Sequence, residues 1–526
     1  MTVTTRPMTR RLRMRGWLIT RSPLHVGGAG GDPNGVLHAA VDGRGRLYVP
    51  GTGITGALRT LTHPEYGSGD EEADRTADLL WGYATPRTQE GAVSRIVVRD
   101  ALITTGKQLD SDGLPLQTLN PARLEARHSV GIDRHSGTAA HGFLHGRVVV
   151  PTDSFLRLEL DLNSSDDSID DDRRRMRQLL RLLSEEGLQL GAAKTRGLGR
   201  VQLLAAETDV REEDFSSAAG LLAALEGNGP AWCSEDWAEE PLPARESLSI
   251  RIDWRPTAPV MVRSATDGFA VDALPLASAV TPDAVSLVLP GTSLKGIMRS
   301  CAERIERTVR RLDAPAAAPG QSAPERSAAF REQLDQLPAV RALFGSAPLR
   351  GSDRGRGVGA VTVDDCYAKE TMPAELWAQA HGPEAADTAS PVTPLRDYRL
   401  ERADHVAVDR WTGGAADGRL YSVLEPHGVE WQPIRLTVDL ARLKRQHADH
   451  RAAGTALLML VLRDLTAGRI PIGYATNRGL GDIAVDRVLL TFRPGNKPVE
   501  LTDYLNSEDA AGLSKAWRTY LDEEPS

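Results

Sequence analysis

The chain has 526 residues, of which 25% are charged and 41% hydrophobic, and a formal net charge of -8. This composition excludes a disordered tail, a collagen and a single small module, and the length is enough for at least two cores. The acidic balance excludes a cationic coat over the whole surface but permits a local basic groove.

In chain order, the Arg-rich N-terminus has no apolar run long enough for a secretory signal, and no later stretch approaches a membrane span. Residues 12–20 alternate as a strand. Pro50-Gly51-Thr52 turns into a helix over 52–61, residues 147–162 carry strands, 173–183 an Arg/Leu amphipathic helix, and 199–206 a closing strand. Residues 207–246, rich in Glu, Ser, Gly and Pro, are expected to form a linker. Strands then recur at 248–254, 358–363, 434–440 and 483–492, with helices over 293–309 and 455–465. The expected class is α+β, with a split βαβ plan in each of two domains, 1–206 and 247–526. Cys233, Cys301 and Cys366 form no Cys-x-x-Cys pair, so neither a zinc ribbon nor a disulfide framework is expected. A soluble, reduced, cytoplasmic protein without a membrane partner is expected.

The two domains repeat each other in sequence. Pro50-Gly51-Thr52, Gly56 and Arg59 recur 240 residues later as Pro290-Gly291-Thr292, Gly296 and Arg299. Ile132-Asp133-Arg134 with Gly137 and Ala139 recurs at an offset of 276 as Val408-Asp409-Arg410 with Gly413 and Ala415. Gly191 and Arg196-Gly197-Leu198-Gly199 recur at 282 as Gly473 and Arg478-Gly479-Leu480-Gly481. Three motifs in one order make duplication the economical account. The offset grows across a segment rich in Ala, Pro and Gly between Asp313 and Gly357, expected to be a surface insertion.

Several of these motifs suit a polyanion. The glycine-rich loops let backbone approach a phosphate, with Lys194, Arg196 and Arg200 beside the first and Arg478 in the second, although a tight helix-to-strand turn uses the same glycines. The missing Walker lysine in the second loop argues against ATP hydrolysis. Thr52 and Thr292 open helices whose positive ends attract anions, and Arg59, Lys295 and Arg299 lie on those helices. The alternative is that both threonines merely cap core-packed helices. Asp32 and Asp272 each stand 18 residues before a Pro-Gly-Thr motif, so they align without a gap. Each is a candidate proton acceptor or metal ligand for phosphodiester chemistry, against the commoner use of Asp to cap its own turn. The histidines of the first half have no matching set in the second, so a shared His-ligand centre is not expected.

These motifs, with Trp81-Gly82, Ser94-Arg95 and Phe344-Gly345, resemble the repeat-associated mysterious protein (RAMP) superfamily of CRISPR systems, in particular the backbone subunits of type III effector complexes. The resemblance implies two tandem modified RRM/ferredoxin-like domains with thumb hairpins, here 116–130 and 388–406, leading into Asp133-Arg134 and Asp409-Arg410 as RNA contacts. It implies CRISPR guide RNA, complementary target RNA and other type III subunits as partners. It further implies target cleavage at two sites by the RNA's own 2′-hydroxyl, with Asp32 and Asp272 as catalytic and metal-binding residues and Mg or Mn as the divalent ion. Asp32 is followed by Pro33-Asn34 rather than the Asn-Pro of active members, and Asp272 has its proline three residues on. Two alternatives stay open: an inactive guide-binding subunit, and an endonuclease that matures the guide precursor.

Overall fold

The computed structural model describes residues 8–522 except 32–34, 64–70, 86–89, 122–123, 243–244, 266–267, 269, scattered positions within 315–335, 347–356, 382–391 and 493–494. The elements of the first copy that set its architecture are β1 (Arg10–Thr20), α1 (Gly51–Thr62), β2 (Ile96–Val98), β3 (Glu125–Ile132), β4 (Ala139–Val149), β5 (Phe155–Ser164), α2 (Ile169–Glu185), β6 (Arg200–Leu203) and β7 (Asp209–Asp214). Those of the second are β8 (Ser247–Pro256), α3 (Gly291–Arg310), β9 (Val361–Val363), β10 (Leu400–Val408), β11 (Ala415–Pro426), β12 (Ile434–Asp439), α4 (Arg451–Thr466) and β13 (Ile483–Phe492).

In β1, alternation buries Leu12 and Met14 while the intervening arginines face carboxylates. In α2, Met176, Leu179, Leu180 and Leu183 form one buried face, and Asp170, Asp171 and Asp172 favour its N-terminal turn. The first sheet runs β6-β1-β5-β2 and the second β13-β8-β12-β9, with antiparallel neighbours throughout. Counting strands along each βαββαβ path, both orders are 4-1-3-2, the ferredoxin-like arrangement. Ile54, Leu58 and Leu179 share one core with Leu12 and Leu158, and Leu294, Met298 and Leu458 share the other with Ile250 and Leu436.

Residues 207–246 are not a free linker. β7 pairs with β1 from Arg10↔Asp214 to Arg15↔Asp209, and Trp237 is 2% exposed within the first core. Composition misled here because β7 is polar. Glu213 pairs with Arg11 and Arg13, and Glu212 with Arg173, so both carboxylates are buried as ion-pair partners. Nor is the region after Asp313 all surface, since Pro338–Phe344 is a helix with Ala339, Val340 and Leu343 in the second core.

The hairpins β3–β4 and β10–β11 are the protruding elements, and they rise later than 116–130 and 388–406. Their tips are built alike. Asp133 accepts from the amides of His135 and Ser136, and Asp409 from those of Trp411 and Thr412. Residues 388–391 lie outside the described residues.

Candidate nucleic-acid interface

Both Pro-Gly-Thr helices start against the end of a strand. A Cβ at Gly51 would collide with the carbonyl of Val98, and one at Gly291 with that of Val363, so glycine is needed for the approach. The amide of Gly51 donates to Asp100 at 2.7 Å and that of Gly291 to Asp365 at 2.8 Å. The positive end of each helix thus already holds one of the chain's own carboxylates. The N-cap is Pro50 or Pro290, and neither Thr52, which is exposed, nor Thr292, which is half-buried, caps its helix.

The glycine-rich loops adopt one conformation twice, with φ of 71°, 87° and 90° at Gly191, Gly197 and Gly199 and of 98°, 89° and 91° at Gly473, Gly479 and Gly481. Their surroundings differ. Space beside Gly197 is taken by Asp365, whereas Gly479 faces open space. The first loop is wedged against the second copy, where Arg196 bridges Val363.

Several expected RNA contacts are engaged within the protein. Arg59 donates to Asp78 and to the carbonyl of Gly82, and Arg299 to Glu303 and to that of Gly345, the same tie in both copies. Arg134, at the first hairpin tip, donates to Glu303 of the second copy at 2.7 Å. Lys295 is buried and donates to Thr195 Oγ1 at 3.0 Å and to the carbonyl of Val361 at 2.6 Å, and burial lowers its pKa to about 7. Arg478 donates to Tyr421 Oη and lies over the rings of Tyr421 and Tyr474. Arg410 and Arg200 are exposed. Lys194 is exposed and Arg196 half-buried, and desolvation pushes the pKa of each down.

Asp272 lies where the second hairpin joins the body. Val271, Ala273 and Leu274 are buried around it, and the carboxylate projects outward. Its Oδ2 accepts from Ser422 N at 2.7 Å and from Ser422 Oγ at 2.9 Å, which holds its pKa down and keeps it ionised. Its Oδ1 accepts from no other described residue. Among the described residues no cluster of three His, Cys, Asp or Glu surrounds it. One ionised carboxylate with an oxygen that no other described residue engages suits a hydrated divalent ion shared with a phosphate rather than a closed protein cage.

Asp32 lies outside the described residues, but its neighbours correct the gapless alignment. Ala40 N donates to Val26 O as Leu276 N does to Val262 O, and Gly199 N to Pro23 O as Gly481 N does to Pro259 O. Val36 and Leu37 pair with Gly146 and Arg147, as Ala273 pairs with Val423. These equivalences run at an offset of 236, so Val36, not Asp32, stands opposite Asp272. The offset becomes 240 only beyond the longer hairpin Ala277–Thr281 and Ala284–Leu289. The equal spacing of the two carboxylates from Pro-Gly-Thr arises from compensating loop lengths.

Sequence reasoning also missed the cross-copy network. Buried Arg127 donates to Asp365 at 2.5 Å and to Ser278 Oγ at 2.7 Å. A usable signal existed, because Ile96-Val97-Val98-Arg99-Asp100 and Val361-Thr362-Val363-Asp364-Asp365 share a hydrophobic strand ending in Asp. No described helix is long and apolar enough to cross a membrane. The profile of the RAMP superfamily matches residues 17–202 and 259–483, one segment in each copy. No curated protein matches the chain.

Proposed function

The chain belongs to the RAMP superfamily, CRISPR-associated RNA-binding proteins, and from this premise we propose that it is a double-backbone subunit of a type III effector complex, holding CRISPR RNA and cleaving complementary target RNA. One observation carries the cleavage reading: an ionised Asp272, fixed by Ser422 at the hairpin base, with Oδ1 engaged by no other described residue. Sequence choice belongs to base pairing, while the protein holds backbone and shape. Exposed Arg410 and Trp411 at the second hairpin tip suit contact with a strand or a neighbouring subunit.

In this mechanism the Asp272 carboxylate takes the proton of a target 2′-hydroxyl. The hydroxyl oxygen attacks the adjacent phosphorus, the bond to the 5′-oxygen breaks and that oxygen takes a proton from water, giving a 2′,3′-cyclic phosphate and a 5′-hydroxyl. A divalent ion, Mg or Mn, held at Oδ1 would supply charge neutralisation at the phosphate. Ser422 keeps the carboxylate oriented and ionised. A DNA target, lacking the 2′-hydroxyl, resists. Asp32 serves the second cut in this proposal, from a different loop position than Asp272.

The test gives guide-loaded complex end-labelled complementary RNA with Mg or Mn. Asp272→Asn removes one cut, Asp32→Asn the other, and both lower the rate of the affected cut by at least about a hundredfold. Both cuts persisting in the double variant rejects the nuclease assignment and leaves a guide-binding subunit.

A further inference from the structure

Where the two copies meet, the base of the first hairpin, the first glycine-rich loop and the start of α3 enclose a recess of about 60 Å³. Its polar wall is made by Arg127, His128, Ser129, Arg147, Arg196, Arg263, Thr292 and Ser293, and among the described residues no carboxylate lines it. Arg147 is 7% exposed and has no hydrogen-bond or ion-pair partner among the described residues, and the Arg196 side chain likewise has none. Burial lowers the pKa of both, and the charge of Arg196 lowers that of Arg147 further. Arg127, which also lines the recess, differs in being neutralised by Asp365 and Glu125.

A buried cation facing another cation, with no acid beside it, is costly unless an anion completes the site. Guanidinium groups match phosphate oxygens by paired donors. The volume limits the occupant, because pockets for drug-sized molecules start near about 300 Å³, so a phosphate fits and a nucleoside does not. Among the described residues the second copy has no counterpart. Val423 and Asp404 stand at the places of Arg147 and His128, and Arg478, the partner of Arg196, is occupied by tyrosines. The wall also touches the candidate catalytic strand, since Arg263 Nη2 donates to the carbonyl of Asp272 at 3.3 Å.

We propose that this recess seats one backbone phosphodiester of bound RNA at the junction of the two copies, beside the strand that carries Asp272. The proposal rests on the RNA-binding reading above. The seat fixes where the strand crosses from one copy to the next.

The test measures the affinity of the full chain for fluorescein-labelled single-stranded RNA across a salt series, with Arg147→Met, Arg196→Met and the double variant. The double variant binds about ten- to hundredfold more weakly at low salt, and its slope of log K against log salt falls by about one. Without RNA, its thermal midpoint rises, because unpaired buried charge has been removed. Wild-type binding with an unchanged affinity and slope in the double variant overturns the seat and leaves RNA binding standing. If the wild type binds no RNA, the RNA-binding reading itself fails. A second arm compares thermal midpoints in inorganic phosphate and in chloride at equal ionic strength. A phosphate-specific rise that the double variant lacks, without any effect on RNA binding, identifies a seat for free phosphate and overturns the RNA occupant. No rise in the wild type, together with no RNA effect, ends the anion seat altogether.

Discussion

Lys295 looks from sequence like a phosphate contact, yet its ammonium is enclosed by Thr195 and the carbonyl of Val361. Its pKa falls from 10.5 to about 7 because burial disfavours the charge and Arg196 and Arg299 repel it. Between those values the unfolded chain binds more protons than the folded one, so this group makes stability rise with pH. Below about 7 both states are charged and the contribution is flat. Lys295→Met removes the effect. The stability difference between wild type and variant, followed by urea midpoint, therefore changes by roughly 1.4 kcal/mol per pH unit across that window, and a flat difference curve contradicts the assigned burial. Other residues show why recurrence in sequence is an ambiguous signal. Arg59 and Arg299 repeat because each ties its helix to a glycine carbonyl, a demand of folding that resembles a binding motif when only spacing is visible.

At the scale of elements, one hydrogen bond occurs twice in different surroundings. Asp100 and Asp365 both receive the first amide of a Pro-Gly-Thr helix, but Asp100 is exposed, whereas the Asp365 side chain is buried against Arg127. An Asn at either position still accepts the amide, so the substitution isolates charge. Asp100→Asn loses only the helix-dipole contribution, about 0.3–1 kcal/mol. Asp365→Asn breaks the more deeply buried of the two ion pairs of Arg127, leaving only Glu125 beside that guanidinium, and costs about 3–5 kcal/mol. Chemical denaturation of the two variants measures the contrast, and equal costs would show that Arg127 does not depend on Asp365. Most elements were legible in the sequence: β1, α1, α3 and β13 lie within a few residues of their expected places, because alternation and helical period survive in strongly buried segments. The polar strand β7 was not, since its carboxylates are neutralised by arginines distant in sequence. The hairpins were placed too early because their strands are half exposed and alternate weakly. The candidate site was legible in its types of residue but not in its register, which depends on the lengths of turns that no periodic pattern marks.

Across the whole molecule, the copies have separate hydrophobic cores joined by a largely polar seam. Arg127 reaches Asp365, Arg134 reaches Glu303, Lys295 reaches Thr195, and Thr152 Oγ1 donates to the carbonyl of Ala279. Ion pairs that cross the seam couple the two cores, and losing one weakens the coupling because it leaves the other member buried without its partner. The intact chain therefore unfolds in one calorimetric transition, with the seam coupling both cores. Asp365→Asn combined with Glu303→Gln removes the carboxylates that receive Arg127 and Arg134, and the transition divides in two. The first copy melts at the lower temperature, because its core has fewer buried apolar residues than that of the second. Tryptophan fluorescence distinguishes the steps in single-tryptophan versions that keep either Trp237 in the first core or Trp431 in the second. If both probes still report one shared midpoint in the double variant, merely shifted downward, the seam is not what couples the copies, and the cores must communicate through the chain between β7 and β8 instead.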